Sequence, residues 1–165
     1  MSFISTQLTL ARVFSTYIGT MSRVLEVTPP IKSSPAKFYD FFKYHTGDLI
    51  TVLPESFKRV QIVEGEDGQV GCVKLWNYDI GRISMVITLK TEAINDEERS
   101  ITYKALGGDL IKHYKVFQFK ITLGSGVANW TIEYEKASEI VPPPEIYGVI
   151  ATAITAVVDL RLLTP

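Results

Sequence analysis

Residues 110–137 read LIKHYKVFQFKITLGSGVANWTIEYEKA, and their pattern decides the fold. Apolar and polar side chains alternate on both sides of Gly124-Ser125-Gly126. Alternation with period two marks a strand with one buried face, and two such runs joined by a glycine turn mark an antiparallel hairpin. In 127–137 the pattern aligns Ala128, Trp130, Ile132 and Tyr134. In 110–123 it sets Ile111, His113, Phe117, Phe119 and Ile121 on one parity. A β-bulge in this strand would flip the parity and bring Tyr114 inward instead.

Working upstream, the same period recurs. Residues 57–65 place Val60 and Ile62 together, 72–79 form a second run, and 82–94 align Ile83, Met85, Ile87 and Leu89. Residues 101–106 align Ile101, Tyr103 and Ala105. The intervening stretches GEDGQVG (65–71), NDEERS (95–100) and Gly107-Gly108-Asp109 are turns, so the whole reads as an antiparallel meander. Further upstream, SRVLEVTPPIK (22–32) begins as a strand that Pro29-Pro30 ends early or confines to an edge. Ser33-Ser34-Pro35 then caps a helix carrying Phe38, Phe41, Phe42 and His45, which Gly47 stops, and a short second helical turn covers 48–53.

Downstream of VPPP (141–144) the pattern turns helical over 145–163. Ile146, Ile150, Ala153, Val157 and Leu160 form a stripe, with Tyr147, Ile154 and Arg161 beside it. The helix is apolar nearly all round, so most of its circumference must be covered. The uncharged run 146–158 is too short to span a bilayer and reads as a buried helix. The expected class is α+β: a curved antiparallel sheet of seven strands wrapped round a long C-terminal helix, with two short helices between the first two strands. Small residues on the helix (Gly148, Ala151, Ala153, Ala156) facing aromatics on the sheet leave room for a hollow core.

Composition narrows the function. The chain has 165 residues, 46% hydrophobic and 21% charged, which suits one globular domain and excludes a disordered chain. Its formal charge of -1 and lack of a basic block argue against a nucleic-acid partner. The single cysteine, Cys72, permits no intrachain disulfide and no Cys-rich zinc site, and two histidines leave little for a metal centre. Neither a metal nor any other cofactor is expected. GEDGQVG lacks the Lys-Ser/Thr ending of a phosphate loop, and Glu66 and Asp67 would repel phosphate, so it is a turn needing positive φ at Gly65, Gly68 or Gly71. Cys72 reads as a small buried filler. His45 closes a surface helix and reads as a helix-end cation. Residues 1–20 carry no acid, one Arg and many Ser and Thr, a composition shared with transit peptides but without further pattern. They are read as an extension to a domain of residues 21–165, with Met21 as an alternative start.

SSPAKFYDFF, VEGEDGQVGCVKLWNYD, GGDLIKHYKVF and NWTIEYEKASE followed by VPPP and a terminal helix resemble the plant major latex proteins. These belong with the pathogenesis-related class ten proteins and the birch-pollen-allergen fold. The resemblance runs from about Met21 to Leu163 and implies a START-like helix-grip fold, in which the sheet wraps the C-terminal helix round a large cavity. It implies a cytoplasmic protein, monomer or weak dimer and without a transmembrane segment, that binds a hydrophobic small molecule such as a terpenoid, alkaloid or steroid as carrier or buffer. It also implies an alternative: a cofactor-free cyclase or isomerase of specialised metabolism using the same cavity.

The expected wall of that cavity is Phe41, Met85, Tyr103, Phe117, Phe119, Trp130 and Tyr134 from the first helix and the sheet. Ile146, Ile150, Ile154 and Val157 are expected from the terminal helix. Tyr103, Tyr134 or His113 would orient the ligand. Under the enzyme alternative, His113 is the candidate general acid or base, because an apolar pocket favours the neutral imidazole.

Overall fold

The computed structural model describes the backbone of residues 11–18 and all of residues 22–165. Strand β1 (Ala11–Ile18) pairs with β2 (Ser22–Val27), and the two prolines at 29 and 30 follow the end of β2. Helix α1 (Pro35–Tyr44) starts as its sequence dictates: Ser34 Oγ accepts from the Lys37 N–H at 3.1 Å and Pro35 occupies the first turn. A 3-10 turn (Thr46–Asp48) and the short α2 (Leu49–Val52) follow. Then come β3 (Phe57–Glu64), β4 (Val73–Ile80), β5 (Ile83–Asn95), β6 (Ser100–Gly108), β7 (Tyr114–Gly124), β8 (Val127–Lys136) and the long α3 (Glu145–Leu163).

The expected seven strands are present, and β1 adds an eighth in the stretch read as an extension. The sheet order is β1-β2-β8-β7-β6-β5-β4-β3, antiparallel throughout. By length and apolarity α3 is able to cross a membrane, but here it lies across the concave side of the sheet with Ala151, Ile154 and Val158 buried.

Two local features depart from strict alternation and matter for the site. The strand expected from 110 begins at Tyr114, because Asp109–Lys112 forms a 3-10 turn and His113 keeps helical φ and ψ. The β7–β8 register then slips between Tyr114 and Val116, so the chain spends one extra residue at Lys115. The bulge flips the parity upstream of it. Tyr114, Phe117, Ile121 and Leu123 are buried, whereas His113 is exposed. On the edge strand β3, Val60 is half-buried and Ile62 exposed.

The second departure is the facing of α3. At about 100° per residue, Ile146, Ala153, Val157 and Leu160 fall on the side away from the sheet, and Ile146 and Leu160 are exposed. The buried face runs through Gly148, Thr152, Thr155 and Asp159. Thr152 and Thr155 donate to the carbonyls of Gly148 (2.9 Å) and Ala151 (2.8 Å). Thr155 also accepts from Trp130 Nε1 at 2.8 Å. Asp159, read from sequence as the end of the apolar run, accepts from the N–H groups of Lys32 and Ser33 and from Ser33 Oγ at 2.6 Å. A helix apolar all round has no strong directional signal, and its buried polar side chains decide which way it faces.

Candidate functional site

Between α3 and the sheet lies a cavity of about 130 Å³. A single water requires roughly 10–15 Å³ measured the same way, so the space suits a multi-atom guest. Its aromatic wall is continuous. Tyr103 lies 5.1 Å from Phe119, Phe119 5.9 Å from Trp130, and Trp130 5.4 Å from Phe42, ring centre to ring centre. The Trp130–Thr155 hydrogen bond fixes the indole in that wall. Tyr147, Ile150, Ala151 and Ile154 of α3 form the opposite side. Trp76 and Phe57 close the flank toward β3, with rings 5.6 Å apart.

Of the residues expected to line the cavity, Tyr103, Phe117, Phe119, Trp130, Ile150 and Ile154 do so. The other six lie elsewhere. Phe41 turns to a shallow outer groove shared with Val52 and Leu162. Met85 sits half-buried opposite Tyr78 in the β4–β5 ladder, off the cavity wall. Tyr134 is fully buried, stacked edge-on to Tyr114 at 5.9 Å, and it too is off the wall. Ile146 and Val157 follow the rotation of α3 outward. His113, the candidate acid or base, is outside the cavity because of the 3-10 turn and the bulge that precede and follow it.

The sequence reading missed a tyrosine pair. Tyr78 on β4 and Tyr147 on α3 share a hydrogen bond of 2.7 Å between their hydroxyls, and the Tyr147 ring packs on Phe117 at 5.2 Å. Tyr147, a lone phenol on an otherwise apolar helix, was the available signal. Two hydroxyls carry two protons, and their mutual bond uses one. Among the described residues neither hydroxyl has another side-chain partner, so one O–H remains unspent in an apolar chamber. Burial raises both phenols; the shared bond raises Tyr147 further and offsets part of the rise at Tyr78. Both therefore stay protonated and act as donors. Burial raises Tyr103 likewise, and its hydroxyl is spent on the Phe42 carbonyl at 2.9 Å.

The other end of the cavity is charged and opens beside the 65–71 turn. Lys43, Thr46, Asp67, Gly68 and Lys74 line it. Gly65, Gly68 and Gly71 all have positive φ, as the turn requires. Gly68 is held to glycine twice over, since a Cβ there would come 2.8 Å from the Tyr44 ring. Lys43 Nζ lies 2.8 Å from Asp96, which also accepts from the Tyr39 hydroxyl at 2.6 Å. That bond holds the Lys43 ammonium above its usual range, so it remains a cation. Cys72, where the turn meets β4, is buried, and burial pushes its thiol up.

Residues 20–165 match the Pathogenesis-related protein Bet v 1 family. MLP-like protein 43 of Arabidopsis thaliana is 32% identical over 145 residues, which is 84% of this chain and 92% of that protein. The crystal structure of ginseng major latex-like protein 151 from Panax ginseng superposes with a TM-score of 0.84 at 28% identity, covering 87% of this chain and 99% of that one. Norcoclaurine synthase from Thalictrum flavum, solved with dopamine and hydroxybenzaldehyde, has a TM-score of 0.71 at 18% identity over 93% of this chain and 98% of that one, a likeness of fold alone. A helix gripped by a curved sheet, together with sequence identity along almost the whole domain, makes this chain a major latex protein-like member of the Bet v 1 family.

Proposed function

We propose that the protein binds an apolar or amphipathic plant metabolite in the cavity under α3 and acts as its carrier or buffer. The observation that carries this reading is the chemistry of the wall. Away from its charged end it is continuous aromatic and aliphatic surface, with one unspent phenolic O–H from the Tyr78–Tyr147 pair. Burial of guest surface against such a wall supplies affinity, and one placed polar group supplies orientation. A terpenoid, steroid or alkaloid skeleton bearing a carbonyl or hydroxyl oxygen suits both.

The transforming alternative, a cofactor-free cyclase or isomerase, needs a group that moves a proton inside the chamber. His113 lies outside it, the phenols are held protonated, and Lys43 and Lys74 are paired with Asp96 and Asp67. These placements favour retention over turnover. Incubation with panels of terpenoids, steroids and alkaloids, followed by chromatography with mass detection, separates the two. A compound retained unchanged identifies the cargo. A new peak of equal mass, absent with heat-inactivated protein, replaces the carrier reading with isomerisation or cyclisation.

A further inference from the structure

Two lysines line the charged end of the cavity, and they are neutralised in different ways. Lys43, with a side chain 15% exposed, faces Asp96, which Tyr39 also holds and which stands outside the cavity wall. Lys74, 12% exposed, faces Asp67 at 2.7 Å and donates to Thr46 Oγ1 at 2.8 Å. A cation so enclosed needs a counter-ion, because water reaches it poorly. Asp67 has no such need. It is 41% exposed and sits in the turn 65–71, which joins β3 to β4. Its carboxylate returns to water at small cost, whereas Lys74 stays where β4 puts it.

The ion pair is thus an exchangeable site. Thr46 Oγ1 accepts from Lys74, which leaves its own O–H free to donate to whatever anion stands there. We propose that the cargo carries a single carboxylate, which takes the place of Asp67 beside Lys74 while the apolar body fills the chamber. This rests on the binding reading above and names the class of cargo. A carboxylate is the isostere of the group it displaces. A phosphate dianion would set two charges against one exchangeable cation, beside Glu66 and the displaced Asp67.

The test is displacement of a neutral fluorophore, N-phenyl-1-naphthylamine, by decanoic acid, decanol and decyl phosphate. The wild-type protein is expected to prefer the acid over the alcohol by roughly tenfold, the size of one charge-assisted hydrogen bond. Asp67→Asn, in an exposed turn, removes the internal competitor and is expected to raise the preference for the acid over the alcohol several-fold. Lys74→Met is expected to abolish the preference. Equal affinity for acid and alcohol in the wild type overturns the proposal, as does an Asp67→Asn variant with unaltered preference or tighter binding of the phosphate. Each of these leaves the chamber a binding site for apolar molecules. Failure of the fluorophore, the alcohol and the acid alike to bind removes that reading as well.

Discussion

Helix α3 presents two adjacent faces to the same sheet, about 100° apart round its axis, and they are built on opposite rules. Gly148 packs against Leu25 and Val27, where even a Cβ would stand 3.1 Å from Val27 Cγ1. Thr155 meets Trp130, and Asp159 meets Lys32 and Ser33. That face is closed, and its polar groups are satisfied. Tyr147, Ile150, Ala151 and Ile154 look into open space. Polar side chains therefore anchor the helix, while apolar ones border the void. Substitutions on the first face should cost more in stability than in binding. Those on the second should do the reverse.

The largest effect belongs to Asp159→Ala. It strands the N–H groups of Lys32 and Ser33 and the Ser33 hydroxyl, at a cost of about 3 kcal/mol for lost bonds to a charged acceptor. Urea unfolding measures this, and a loss below about 1 kcal/mol would break the comparison at its strongest point. The same residue gives a pH signature. Burial raises its carboxyl, but the hydrogen bonds from Ser33 and Lys32 outweigh burial and hold it below its ordinary 3.8. A carboxyl depressed on folding contributes stability that is present above 3.8 and lost as pH falls through the lower folded value. The stability gap between wild type and Asp159→Asn should therefore be constant near neutrality and narrow below pH 3.8. A gap that widens there reverses the sign and refutes the assignment.

Thr155→Val comes next. It leaves the Trp130 indole N–H buried without an acceptor, at a cost of about 2 kcal/mol. The urea midpoint should fall with an unchanged slope. On the open face, Ile150→Trp puts extra volume into the cavity, so stability should hold within about 1 kcal/mol. Affinity for N-phenyl-1-naphthylamine should drop by about tenfold or more, equivalent to about 1.4 kcal/mol. Equal loss of both would merge the two faces into one. The smallest effect is that of the double variant Tyr78→Phe/Tyr147→Phe, because either single change leaves one O–H unspent. It should leave unfolding nearly unchanged and weaken oxygen-bearing guests by about fivefold, the worth of about 1 kcal/mol for one neutral hydrogen bond. A guest without oxygen should bind the variant and the wild type alike.

These faces also mark where the sequence was legible. The alternation of 127–137, the Ser34-Pro35 helix start and the bounds of α3 are local signals with local causes, and the structure follows them. The bulge at Lys115 has no comparable signature. Lysine is unremarkable there, and the slip exists only relative to β8. It turned His113 outward and buried Tyr114 in the core instead, off the cavity wall, where its hydroxyl donates to the Pro142 carbonyl at 2.6 Å and burial raises it to about 12. The orientation of α3 was hidden because apolar residues surround it. Thr152, Thr155 and Asp159 carried the missing information, since buried polar groups must face partners. Much of the site was legible as β-strand parity in Phe117, Phe119, Trp130 and Tyr103. The Tyr78–Tyr147 pair joins elements far apart in the chain, and no local pattern brings them together.

Cys72 has a practical consequence that follows from the turn before it. The chain has one thiol, 2% exposed, whose backbone N–H donates to the Gln69 carbonyl at 3.2 Å. Only the thiolate reacts with labelling reagents, and burial suppresses both its formation and its access. Modification of the native protein must then wait for a local opening around the start of β4. The labelling half-life becomes a clock for opening where the turn meets β4, carried in a single atom of sulfur and read without altering the sequence.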